Sequence, residues 1–179
     1  MKKVLFFGLM IFTVFAFGQK VKSKKNVVYV DGKEYLNVKE DFASNYSYTI
    51  TSLDNKDLFY LKYNRYLDTK EVDRYNTDGA VSYFEVISPD LNTIYFETDI
   101  AGCLMGCKAY DNFVKILYNG AIVNQNGEVD FAKLENLSKK LGFKYAQKRE
   151  EMSQSSPGNT VIIQQDTRPR NGVNISIGR

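Results

Sequence analysis

The chain has 179 residues, 44% hydrophobic and 25% charged, which suits one globular domain with an appendage. It contains no histidine and two cysteines. These counts exclude Ser-His-Asp and Cys-His catalysis, zinc sites that use imidazole or four thiolates, and a general base titrating unperturbed near neutrality. The formal net charge is +3, and its distribution is uneven. Residues 19–30 carry four lysines and no acid, residues 31–99 seven basic and fourteen acidic side chains, and residues 100–179 eleven basic and seven acidic. An acidic middle between basic flanks can mark a polyanion-binding end or simply complementary solvated faces.

The N-terminus reads as a secretory signal. Lys2 and Lys3 precede an apolar run from Val4 to Phe17, and Ala16-Phe17-Gly18 puts small residues where a signal peptidase reads. The run is short of the ~20 residues a membrane-spanning helix needs, so cleavage after Gly18 is expected, with no integral membrane segment left behind. No cysteine follows the junction, so lipoprotein processing is not indicated. The Phe17-Gly18-Gln19 junction resembles bacterial signal peptides of Bacteroidota envelope and secreted proteins, a likeness confined to the start of the chain. A periplasmic or secreted location is expected, and export argues against a nucleic-acid partner. Cleavage also removes Lys2 and Lys3, lowering the net charge by two.

Residues 19–25 then form a basic arm with nothing apparent to order it. Val27 to Val30 and Lys33 to Val38, joined by Asp31-Gly32, predict a hairpin, because Asp-Gly accepts the positive φ angles of a two-residue type I′ turn. Tyr46 to Thr51 alternates large apolar with small polar residues at period two, the pattern of a half-buried strand. Leu58 to Tyr63, Ala80 to Ile87 and Thr93 to Thr98 continue a meander of antiparallel strands, the last two around Ser88-Pro89-Asp90. Helix is expected near residues 108–118. A second helix follows at 131–141, with Asp130 as N-cap, Phe131, Leu134, Leu137 and Leu141 as an apolar stripe, and Lys139, Lys140 and Gly142 at its end.

The fold expected is therefore α+β: an antiparallel sheet of about five to seven strands with two helices from the C-terminal half packed on one face. The runner-up is a small β-barrel or sandwich with appended helices. One domain is expected over residues 26–150. Residues 151–179 read as a Ser/Gly/Pro linker and a basic, β-prone tail. Asn171-Gly172 either turns a final hairpin there or the tail orders only on a partner. Arg168, Arg170, Val173, Ile175 and Ile177 are its partner-binding candidates.

Three further groups of residues bear on chemistry. Cys103 and Cys107, flexed by Gly102 and Gly106, suit a short structural disulfide in an exported chain. The competing reading is a buried stripe of Cys103, Cys107, Tyr110, Val114 and Leu117 on a helix starting near Asp99. The spacing is not C-x-x-C, and only Lys108 adjoins the thiols, which leaves little to support a redox role. Glu85 and Glu97 lie on neighbouring predicted strands and can face one another as a carboxylate pair, the arrangement of glycoside hydrolysis. Finally, Asn76, Asp78 and Glu85 match oxygen-ligand positions of a calcium loop, but Arg74 stands where the first carboxylate belongs and the flanks are strands, so an Asp-Gly turn is the simpler reading. No catalytic set and no cofactor emerge. A non-enzymatic exported binding or structural module, meeting an envelope or extracellular protein or glycan, is the leading expectation, with a carboxylate hydrolase and a thiol-disulfide redox protein as alternatives.

Overall fold

The computed structural model describes residues 20–41, 44, 46–100 and 108–155. Among these residues seven strands, β1 (Val21–Lys24), β2 (Val27–Val30), β3 (Lys33–Asp41), β4 (Ser47–Thr51), β5 (Asp57–Leu67), β6 (Ala80–Ile87) and β7 (Ile94–Asp99), precede three α-helices, α1 (Asp111–Asn119), α2 (Phe131–Leu141) and α3 (Lys144–Ser155). The strands form one sheet in sequence order, every neighbouring pair antiparallel. Such a meander needs only short turns between partners. The architecture is α+β with an open sheet, and the barrel or sandwich alternative is set aside because β1 and β7 stand at opposite edges of a single sheet.

Turn chemistry sets the hairpins. Asp31 and Gly32 both adopt positive φ, 51° and 82°, as the type I′ turn requires. Within the stretch 19–25, expected as an arm, Val21–Lys24 forms a strand at the sheet edge. Lys25, at φ 56°, begins a second tight turn, and β1 pairs with β2 from Val21↔Val30 to Lys24↔Val27. Val21 and Ser23 are half-buried while Lys22 and Lys24 are exposed. The run V-K-S-K thus obeys the strand period despite its charge.

One face of the sheet is apolar. Val28, Leu36, Ile50, Phe59, Leu61, Phe84, Val86 and Phe96 meet Phe113, Val114 and Leu117 of α1 and Leu134 of α2 in one buried cluster. Phe113 sits 5.7 Å from Phe59, ring edge to face, and 6.3 Å from Phe96. Full burial of each such side chain stabilises by roughly 1.5–3 kcal/mol, so this layer holds α1 and α2 in place. Asp99 ends β7 instead of opening a helix, and α1 begins at Asp111, with Tyr110, Val114 and Leu117 buried. Cys103 and Cys107 lie outside the described residues, as do Arg168, Arg170, Val173, Ile175 and Ile177.

The α2 helix closes the β7 edge. Asp130 caps it by accepting from the Lys133 N–H at 3.1 Å. Toward its far end, Ser138 Oγ donates to the Tyr95 carbonyl, and the Glu97 N–H donates to the Gly142 carbonyl at 3.0 Å. Edge groups that would otherwise be open to another strand are thereby paired. Gly142, at φ 63°, then turns the chain around that edge, and α3 lies on the opposite face of the sheet, where Tyr145 stacks on Tyr83 and its N–H meets Glu97. This helix was not expected. It has few large apolar side chains and extends through the start of the stretch read as linker. Among the described residues no helix is long and apolar enough to cross a membrane.

Candidate functional site

Side chains alternate across a strand, so the β6 and β7 residues between the core phenylalanines point away from α1 and α2. On that second face Tyr83 opposes Asp99, and Glu85 opposes Glu97. Across β6, Lys62 of β5 is the partner of Glu85 and Asn64 the partner of Tyr83. The two glutamates thus share one face as directly opposed residues, with Cβ atoms about 4.5–5.5 Å apart. Glu85 is 8% exposed and Glu97 2%. Two buried like charges in this position repel unless cations and N–H donors answer them.

The α3 helix supplies the answer. Glu97 Oε2 accepts from the backbone N–H groups of Tyr145 (2.7 Å) and Ala146 (3.2 Å). A strand carboxylate thereby caps the positive end of the helix and satisfies two of its orphan donors. Burial raises the Glu97 carboxyl above its ordinary range; the two N–H groups and Arg149 oppose the shift, while Glu85 adds to it. Glu85 lies 3.7 Å from Lys62 Nζ and 4.0 Å from the Arg149 guanidinium, which also sits 5.5 Å over the Tyr83 ring. Tyr145 stacks on Tyr83 at 4.4 Å and 18°.

Two lysines pin the helix through three more ion pairs. Lys144 is 2.9 Å from Asp99, whose carboxylate also accepts from the Tyr145 hydroxyl. Burial works to raise the Asp99 carboxyl, but Tyr145 and Lys144 together hold it below its ordinary value. Lys148 lies 2.8 Å from Glu71 and 3.0 Å from Asp68, and these two acids raise its ammonium group above the ordinary lysine value. Asp68 is itself the cap of the short 3-10 turn Thr69–Glu71, and its carboxyl is held low first by the Lys70 N–H. The contact with Lys148 leaves Asp68 Oδ2 without a directed hydrogen bond, and the hydroxyls of Tyr66 and Tyr83 are buried with no partner. Unsatisfied buried groups cost about 1–3 kcal/mol each. The layer beneath α3 is therefore polar, aromatic and incompletely paired.

The calcium candidates are dispersed. Asn76 is spent on its own loop, its amide donating to the Glu71 and Ala80 carbonyls while its oxygen accepts from the Ala80 N–H at 2.9 Å. Asp78 pairs with Arg65, and Glu85 faces Lys62 and Arg149. Among the described residues no group of three or more acidic or thiol side chains is arranged to hold a metal ion. The carboxylate pair does face as the sequence suggested, but it is buried under α3, and Glu97 is occupied by two N–H groups. Its visible work is to seat a helix.

Sequence reasoning missed Tyr145, Lys148 and Arg149. The available signal was the spacing of Lys144 and Lys148, four residues apart and so on one helix face, with Arg149 adjoining. Comparison of the chain with protein-family models, curated proteins and solved structures returns no match.

Proposed function

We propose that the chain is an exported, non-enzymatic binding module that takes an extended, acidic segment of an envelope or extracellular protein along the free edge of β1. The observation that carries this reading is the asymmetry of the sheet. Its β7 edge is closed by Ser138 and Gly142, whereas β1 has one neighbour, β2, and no other strand beside it among the described residues. Asp31 donates to the Lys20 carbonyl at 3.1 Å, and hydrogen-bonded pairs alternate along an antiparallel ladder. Lys22 and Lys24 therefore bond to β2, and the backbone groups of Val21 and Ser23 face outward. An open edge of this kind accepts a further strand. Exposed Lys22 and Lys24 favour an acidic one, and the tail residues Arg168 and Arg170 add to the same basic character.

The secretory signal over residues 1–18 and a structural Cys103–Cys107 disulfide belong to the same reading, since an exported chain meets oxidising conditions. Intact mass before and after reduction and alkylation tests the bond. A carboxylate hydrolase is the weaker reading because Glu85 and Glu97 are covered by α3.

The docking is tested with two short synthetic peptides, one alternating valine with glutamate and one alternating valine with lysine, titrated while backbone amide resonances are followed. The acidic peptide is expected to shift Val21 and Ser23, and Val21→Pro, which removes an outward N–H without touching the β1–β2 ladder, is expected to abolish the shift. Equal responses to both peptides, or none at β1, would overturn the proposal.

A further inference from the structure

The second face of β5 to β7 is built to hold a cationic helix. Asp68, Glu71, Glu85, Glu97 and Asp99 surround the Tyr66 and Tyr83 rings, and each of these acids is met by a cation or an N–H group of α3. We propose that this face also accepts α3 from a second copy of the chain, so that two copies exchange their third helices and form a reciprocal dimer.

Three observations carry the proposal. First, α3 is held by charge more than by apolar burial. Tyr145 stacks on Tyr83 and Glu97 caps the Tyr145 and Ala146 N–H groups, while Lys144, Lys148 and Arg149 make ion pairs that salt weakens. Second, lifting α3 lets water reach the Tyr66 and Tyr83 hydroxyls, which have no partner when it is docked. Part of the cost of opening is thereby returned. Third, only Gly142 and Phe143 separate α2 from α3. Gly142 sits at φ 63° and ψ −151°, and nothing lies within 4 Å of where its Cβ would be. Changes at two residues therefore swing the whole helix outward as a body.

An opened copy exposes the acidic, aromatic face and a free cationic helix together. A second opened copy offers the same two surfaces, which makes it the partner of matching shape and charge. The helix on its own chain has the advantage of a short tether, equivalent to a local concentration on the order of millimolar. Exchange is accordingly expected at high protein concentration, or when copies opened by salt are returned together to low salt.

The experiment uses the chain from Gln19 to Arg179 and two charge reversals, Lys144→Glu and Asp99→Lys, at a pair whose side chains are about half exposed and so tolerate replacement. Either variant alone places like charges together. In a mixed exchanged dimer, the introduced glutamate meets the introduced lysine at one interface, and the native pair re-forms at the other. After a high-salt pulse and return to low salt, native mass spectrometry of the mixture is expected to show a heterodimer severalfold more abundant than either homodimer. The unsubstituted chain treated in the same way is expected to give a species of twice the monomer mass by light scattering. The proposal is overturned if all samples remain monomeric up to about millimolar concentration. It is equally overturned if the variants pair with themselves as readily as with each other, which would indicate a dimer built without helix exchange.

Discussion

Glu97 of β7 stands directly opposite Glu85 of β6 and, at 2.7 Å from the Tyr145 N–H, caps the helix that covers them both. The side chain thus serves two ends: its oxygen is needed, and its charge is a burden. Burial holds the folded carboxyl above its ordinary value of 4.5. A raised acid binds its proton more tightly in the folded state, so the contribution of Glu97 to stability is greatest below about pH 4.5 and declines as pH rises through its folded value.

Glu97→Gln keeps an acceptor for the helix and removes the charge. The variant is expected to be as stable as the unsubstituted protein at neutral pH, or more so, and to lack the decline above pH 4.5. Glu97→Leu strands the Tyr145 and Ala146 N–H groups and is expected to cost about 2–3 kcal/mol. Denaturant unfolding of the three proteins at a series of pH values checks both. Equal pH slopes for the glutamine variant and the unsubstituted protein would contradict the account.

Two glycines provide a contrast in cause. Gly32 has φ 82° with open space around a Cβ, whereas Gly79 has φ 65° and would place a Cβ 2.3 Å from the Asp68 carbonyl oxygen. Gly32→Ala incurs only left-handed strain, about 1–2 kcal/mol. Gly79→Ala adds a backbone clash where the loop closes through the Asp68 N–H to Gly79 carbonyl bond, so its cost is expected to exceed that of Gly32→Ala by about 1 kcal/mol or more. Thermal midpoints of the two variants decide the order.

Much of this fold was legible because its elements carry local signals. Asp31-Gly32 states its turn, Asp130 and Gly142 bracket α2, and the strands alternate. Even the facing of Glu85 and Glu97 followed from two strands joined around Ser88-Pro89-Asp90. Two elements escaped for one physical reason. The β1 strand and α3 are charged segments whose order comes from partners distant in sequence, so a search for apolar periodicity passes over them. In β1, Val21 and Ser23 alternate with lysines, and the neighbouring β2 supplies the ladder. In α3, Lys148 finds Asp68 and Glu71 far earlier in the chain.

Ser138 and Gly142 seal one sheet edge, which makes Ser138→Ala a test of that seal. The Tyr95 carbonyl loses its side-chain donor, an expected cost of about 1 kcal/mol. The nearby bond from the Glu97 N–H to the Gly142 carbonyl depends on the same approach of α2 to β7. Hydrogen exchange at the Glu97 amide is therefore expected to quicken in the variant, while amides in β3 and β4 stay as they were. Uniform quickening across the sheet would instead indicate general destabilisation.

Lys148→Met separates charge from packing at the far end of α3. Methionine retains the apolar stem but leaves Asp68, 2% exposed, without its cation. Loss of one partner of a fully buried pair costs about 3–5 kcal/mol, but Lys148 is 37% exposed and solvent screens part of the interaction, so about 1–2 kcal/mol is expected near neutral pH. The Asp68 carboxyl is held below its ordinary 3.8 in the folded state, first by the Lys70 N–H and then by Lys148. A lowered acid contributes stability above its unfolded value and loses it as pH falls through the folded one. The gap between the unsubstituted protein and the variant should therefore hold above pH 3.8 and narrow below it as Asp68 takes up its proton. At the alkaline end the sign reverses for the lysine, whose raised ammonium contributes below 10.5 and ceases to do so as pH climbs through its folded value. Unfolding free energies measured across both windows test the pairing, and a gap that stays constant through acid would show that the lysine acts by packing alone.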